Sequence, residues 1–160
     1  MSREVYLHPG EWAFGGPDLV IRTLLGSCVS ITLWHPKLRR GGMCHYMLGP
    51  RPHERIHHFS GKYADEALLL MIREALATGA RISAFQAKLF GGGAMFSGSG
   101  RVCEDNVEAA RRLTRQLGFH LVAEDLGGGT HRSLVFEVAT GEVYVRQGDG
   151  LALQAGGRVP

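Results

Sequence analysis

At 160 residues, 44% of them hydrophobic, the chain suits one domain with a core of its own and no need of covalent staples. Eighteen Lys and Arg against 15 Asp and Glu leave a formal charge of +3, too mild and too scattered to argue for nucleic acid. No apolar run approaches the roughly 18–20 residues of a membrane span, and Met1-Ser2-Arg3-Glu4 is no signal core, so neither insertion nor export is indicated.

In chain order, Leu19–Leu25 and Val29–Trp34 read as strands, separated by Gly26-Ser27. A turn at His35-Pro36-Lys37 and the pair Gly41-Gly42 lead to a third strand, Met43–Leu48, while Pro50 and Pro52 make Arg51–Ser60 a solvated loop. A helix follows over Lys62–Thr78. Ala64, Leu68, Met71, Ile72, Ala75 and Leu76 form its apolar face, Asp65, Glu66, Arg73 and Glu74 its wet side, and Gly79 its end. Ser83–Leu89 is a strand running into Gly91-Gly92-Gly93. That glycine run lacks the Gly-Lys-Ser/Thr ending of a phosphate loop, and reads as a tight turn bringing backbone close to a neighbour. A second helix is expected over Asn106–Leu117, with Asp105 and Glu108 as a capping box, Val107, Ala110, Leu113 and Leu117 inward, and Gly118 at its end. His120–Asp125 is a strand, and Ser133–Val138 with Glu142–Arg146 form a hairpin around Ala139-Thr140-Gly141. The expectation is a single layered α/β domain over residues 1–147, about seven strands in mixed sheet or sheets packed with two main helices. Residues 148–160 are expected as a loose tail.

Cysteine and histidine carry the chemistry. Three cysteines (Cys28, Cys44, Cys103) with no CxxC indicate neither a disulfide framework nor a zinc knuckle, and unpaired thiols suit a reducing cytoplasm. In Leu24-Leu25-Gly26-Ser27-Cys28-Val29, Gly26 permits a sharp turn that would gather peptide N–H groups around a thiol, able to stabilise a thiolate and an oxyanion. A nucleophile needs a base, and His45 lies 17 residues on, reached by two neighbouring strands. Alternation sets Met43, His45 and Met47 on one face and Cys44, Tyr46 and Leu48 on the other. Against this stands a bland reading, in which Cys28 is a small buried hydrophobe and His45 a satisfied strand residue. A metal site from His45, His53 and His57 is a rival, weakened by Pro50 and Pro52 and by the absence of a carboxylate at ligand spacing.

Taken together, Leu25-Gly26-Ser27-Cys28-Val29, Gly41-Gly42 with His45 and Met47-Leu48, Gly61-Lys62-Tyr63-Ala64-Asp65, Lys88 through Phe96, Asn106-Val107-Glu108-Ala109 and Ala123-Glu124-Asp125 through Ser133 resemble, in order and spacing, the chemoreceptor glutamine deamidases of bacterial chemotaxis, the CheD family. The resemblance implies a cytoplasmic cysteine hydrolase with Cys28 as nucleophile, His45 as base, Gly26 and Ser27 supporting an oxyanion, and no metal or organic cofactor. Its substrates would be glutamines on the cytoplasmic helices of methyl-accepting chemoreceptors, converted to glutamate, with glutamate methyl esters as further substrates. A CheC-type phosphatase would be a partner. The family's third catalytic residue, a threonine six residues before the cysteine, falls here on Arg22. Thr23 is five before, so a one-residue slip decides which of the two serves His45. The family's Arg-Asn before the second helix is here Asp105-Asn106. In the mechanism so implied, His45 pairs with a Cys28 thiolate and lowers the thiol's pKa. A receptor-docking adaptor without catalysis is the reading that the Arg22 position favours.

Overall fold

The computed structural model describes residues 2–52, 58–95 and 100–148, and the backbone of 157–159. Among these, ten strands and two helices run in the order β1 (Arg3–Leu7), β2 (Trp12–Gly15), β3 (Leu19–Leu25), β4 (Val29–His35), β5 (Arg40–Cys44), α1 (Ala64–Ala77), β6 (Gln86–Gly91), α2 (Gly100–Gln116), β7 (His120–Leu126), β8 (Arg132–Glu137), β9 (Glu142–Gln147) and β10 (Gly157–Val159).

The strands form two mixed sheets of five, ordered β1-β3-β8-β9-β10 and β2-β5-β4-β6-β7. Residue alternation builds the layers. In β3 the positions Leu19, Ile21, Thr23 and Leu25 are buried, and the apolar ones join Leu7, Met43, Phe90, Leu134, Phe136, Val143 and Val145 in a core between the sheets. The opposite face of the second sheet (Val29, Ile31, Leu33, Cys44, Tyr46, Ala87, Leu89) packs against Ala64, Leu68 and Met71 of α1 and Ala109, Ala110 and Leu113 of α2. Sheet, sheet and helices thus stack as three layers.

The expected α/β class, two helices and β8–β9 hairpin are present, with Gly141 at φ +77° in the turn. Several boundaries move. The third strand is Arg40–Cys44 instead of Met43–Leu48, because Gly41 and Gly42 lie inside the sheet. A Cβ on them would stand 2.3 Å from the Leu33 carbonyl and 2.4 Å from that of Ala13. The strand Ser83–Leu89 starts at Gln86, after a 3-10 turn over Ile82–Ala84. Strands β1 and β2 were not anticipated. Helix α2 starts at Gly100, so Asp105 and Glu108 are an exposed pair inside it, not a capping box; Cys103 extends its buried stripe one turn toward the N-terminus. In α1, Leu76 is exposed, and Glu66 is buried rather than wet because Arg51 grips its carboxylate through Nε at 2.6 Å and Nη2 at 2.9 Å, with the Ser60 amide at 2.9 Å. In the tail, Gly157–Val159 pairs antiparallel with β9. His53 and His57, two of the three expected metal ligands, lie outside the described residues. No described helix is long and apolar enough to cross a membrane.

Candidate active site

The chain passes from one sheet to the other between β3 and β4, and Gly26-Ser27-Cys28 is that crossing. Three successive carbonyls of the crossing are held from one side. Gly26 O accepts from the Gly93 amide at 2.9 Å, Ser27 O from Asn106 Nδ2 at 3.1 Å, and Cys28 O from the Gly92 amide at 2.9 Å. In a trans peptide the N–H points away from its own C=O. Pinning these carbonyls therefore turns the Ser27 and Cys28 amides toward the other side.

The glycine run at the end of β6 makes this possible. Gly91 and Gly92 have φ of +109° and +69°, and a Cβ on Gly91 would lie 2.3 Å from Cys28 O. The close-approach turn read from Gly91-Gly92-Gly93 thus has the Cys28 loop as its neighbour. The Met95 methyl packs on Gly26, where a Cβ would come within 2.5 Å of it.

Past β5 the chain stays extended. His45 bonds Glu11 and Gly10 through its backbone, and Tyr46 pairs with Val29 in an antiparallel bridge. That register sets Met47 opposite Cys28 and Ser30 opposite His45. Cys28 and His45 are thereby diagonal neighbours on one face, a separation of about 7–8 Å between backbones that a histidine ring can span. Met43 enters the inter-sheet core while Cys44 and Tyr46 enter the helix-side core, as the alternation predicts.

His45 meets Thr23 across the gap between the sheets: Thr23 Oγ1 lies 2.8 Å from His45 Nδ1 and 2.8 Å from the Leu7 carbonyl oxygen. A hydroxyl has one proton, and a carbonyl can only accept. Thr23 therefore donates to Leu7, and Nδ1–H donates to Thr23, which assigns the ring proton to Nδ1 and leaves Nε2 as the basic nitrogen. Arg22 points the other way and pairs with Glu4 at 3.1 Å on the surface. The alternation of β3 thus brings Thr23, not Arg22, to the histidine.

Electrostatics oppose a resting ion pair. Burial pushes the His45 ring from its ordinary 6.5 down to about 4, and only 2% of the residue is exposed. Burial also pushes the half-buried Cys28 thiol up. Both shifts favour the neutral forms, the opposite direction to the expected thiolate–imidazolium pair. Cys44 and Cys103 are buried, Cys44 with its thiol pushed up to about 12 by desolvation, and Cys103 donating to Gly93 O at 3.1 Å. The arrangement offers a half-buried thiol, a neutral base of fixed tautomer and turned-out amides, a set suited to acyl transfer.

Two grooves flank α2, of about 470 Å³ along Cys103, Val107, Leu126 and Gly127, and about 390 Å³ along Leu48, Tyr63, Asp105 and Ala109; neither is lined by Cys28 or His45. Cys28 is half-buried, outside both. One polar residue at this centre, Asn106, stands among the residues of the resemblance with no role assigned to it there. Asn106 is 1% exposed and anchors both the Cys28 crossing and the His45 segment. Its signal in the sequence was a polar side chain in register with Cys103, Ala110 and Leu113 on the buried stripe.

The chain matches, over residues 47–147, the family model CheD, described as CheD chemotactic sensory transduction. It is 49% identical over 155 residues to "Probable chemoreceptor glutamine deamidase CheD 1" of Chromobacterium violaceum, covering 94% of this chain and 80% of that protein. A protein named "Probable chemoreceptor glutamine deamidase CheD" in Pseudomonas syringae pv. syringae is 47% identical over 149 residues (89% and 84%), and one of the same name in Pyrococcus abyssi 38% over 152 residues (92% and 93%).

Proposed function

The chain belongs to the CheD family, and from that premise we propose that it is a chemoreceptor glutamine deamidase working through a Cys28–His45 dyad oriented by Thr23. The observation that carries the reading is the chain of hydrogen bonds from His45 Nδ1 through Thr23 Oγ1 to the Leu7 carbonyl. It is the third-residue relay of a hydrolase, fixing the ring so that Nε2 can act as base.

Cys28 Sγ attacks the carboxamide carbon of a receptor glutamine as its proton passes to Nε2 of His45. Because both groups rest neutral, transfer and attack occur together, without a stored thiolate. The carbonyl oxygen becomes an oxyanion facing the Ser27 and Cys28 amides, with Gly26 giving the loop its bend; one such donor is typically worth ~3–4 kcal/mol. His45 returns the proton to the leaving nitrogen, the C–N bond breaks and ammonia departs. Water, deprotonated by His45, then opens the Cys28 thioester, giving glutamate and the free thiol. A glutamate methyl ester enters the same cycle with methanol as leaving group. Side chains and peptide groups carry every step, so the cycle calls for no metal or organic cofactor.

Substrate geometry fits as well. A glutamine on the outside of a long receptor helix cannot enter a deep cleft, and Cys28 sits half-buried beside open grooves instead of inside one. The family supports a cytoplasmic location and a CheC-type phosphatase as partner.

The test is mass spectrometry of a purified receptor cytoplasmic fragment after incubation. Cys28→Ala is expected to abolish glutamine-to-glutamate conversion with its fold intact, and Thr23→Val, which keeps the volume and removes the hydroxyl, to slow it by about 10- to 100-fold. Conversion by Cys28→Ala at the wild-type rate overturns the proposal.

A further inference from the structure

We infer that Asn106 is a positioning residue for the reaction, the clamp that holds the nucleophile loop to the base strand where the β4–β5 ladder gives out. This rests on Cys28 and His45 being the reacting pair.

Cys28 and His45 sit where the β4–β5 ladder gives out: its regular pairing stops at Thr32 and Met43, and past it only the isolated bridge of Val29 and Tyr46 is recorded among the described residues. On the far side of that bridge from the ladder, a side chain of α2 ties the two segments. Asn106 Nδ2 gives one proton to Ser27 O at 3.1 Å and the other to Met47 O at 2.9 Å. Ser27 precedes the nucleophile, and Met47 is the residue opposite it. The backbone carbonyl of Asn106 accepts a third bond, from the Tyr46 hydroxyl, next to His45. One helical residue thus holds the neighbours of both reacting groups.

The amide orientation is unambiguous, because a flip would press Oδ1 against two carbonyl oxygens. Oδ1 has no partner among the described residues. Asparagine is also a poor choice for the interior of a helix, and the position is fully buried between Cys103 and Ala110 on the apolar stripe. Leucine would suit packing and propensity better. What asparagine adds is a planar group with two donor protons, matched to two carbonyls that an apolar side chain would leave unpaired. The Ser27 bond also helps to turn the Cys28 amide away from α2, toward where the oxyanion forms.

The experiment measures kcat and KM for receptor deamidation from pH 5 to 8 in Asn106→Ala, Asn106→Asp and Tyr46→Phe, beside thermal unfolding and a Cys28→Ala control. Asn106→Ala is expected to lose about 10- to 100-fold in kcat at every pH, with KM within about twofold, at temperatures where it is fully folded. Asn106→Asp presents a carboxylate to two carbonyls at pH 8 and should be at least as impaired. As the acid protonates it regains one donor, so its kcat relative to wild type should climb severalfold toward pH 5. Tyr46→Phe, which removes one tether and no volume, should lose a few-fold. A purely structural role would lower the melting temperature yet leave kcat of the folded enzyme and the pH profiles unchanged. That outcome in Asn106→Ala, or in Asn106→Asp should the alanine variant not fold, overturns the inference. If Cys28→Ala instead stays active, it is the underlying dyad that fails.

Discussion

His45 can serve as a base because burial keeps its ring neutral and Thr23 keeps the free lone pair on Nε2. The shift has a thermodynamic consequence. Between about 4 and 6.5 the unfolded chain binds a proton at this histidine that the folded chain refuses, so stability falls as pH drops through that window and is full above it. From pH 7 to pH 4.5, urea unfolding of wild type should lose about 2–3 kcal/mol more than that of His45→Gln. The same shift moves the acid limb of deamidation below pH 5; a rate that halves near pH 6.5 would mean a solvated, ordinary histidine. Cysteine and histidine were both legible as chemistry in the sequence. The serving residue was not, since Arg22 and Thr23 compete in a count along the chain. In the strand they cannot, because one faces Glu4 and the solvent and the other faces His45.

Among the elements, the glycine end of β6 matters most to the site. Gly91 must hold φ +109° with its α-carbon against Cys28 O, whereas Gly79, at φ +85°, ends α1 with nothing within 4 Å of a Cβ. Comparing alanine at each isolates the close approach. Gly79→Ala should cost about 1 kcal/mol of strain and leave activity whole. Gly91→Ala should cost about 3 kcal/mol or more and slow deamidation at least tenfold, because the Cys28 carbonyl must move. Urea unfolding and the receptor assay read both. Glycine is also where the sequence misled. Gly41-Gly42 looks like punctuation, yet both residues are strand interior, small because Leu33 and Ala13 backbones press on them. Likewise Asp105 with Glu108 matches a capping box by spacing, and the same spacing recurs on any exposed helix face. Only the burial of Cys103 and Asn106 reveals that α2 is already under way.

Over the whole molecule, the site is a product of stacking. Thr23 belongs to one sheet and His45 to the chain running on from a strand of the other, so the inter-sheet core sets their separation. Leu134 pairs with Thr23 in that core, and Leu68 fills the helix-side core; both are about fully buried. Leu134→Ala and Leu68→Ala should each lose about 2–5 kcal/mol of stability. Only Leu134→Ala should also depress kcat, since its cavity opens behind Thr23. Equal kcat values in the two folded variants would mean that the spacing of the sheets is not what holds the pair.

Local pattern was enough for whatever depends on periodicity and residue type: an α/β class from alternating and helical apolar runs, helix ends at Gly79 and Gly118, a thiol after Gly-Ser, a histidine two strands on. Those signals are written within a few residues of each other, where φ/ψ preference and side-chain period act. The partner of the histidine, the neutral forms of Cys28 and His45, the carbonyl cradle under Cys28 and the place of Asn106 depend on residues from β1, β3, β6 and α2, far apart in the chain. Folding alone brings these together, because burial and hydrogen-bond geometry arise from which layers meet and not from the order in which residues are joined.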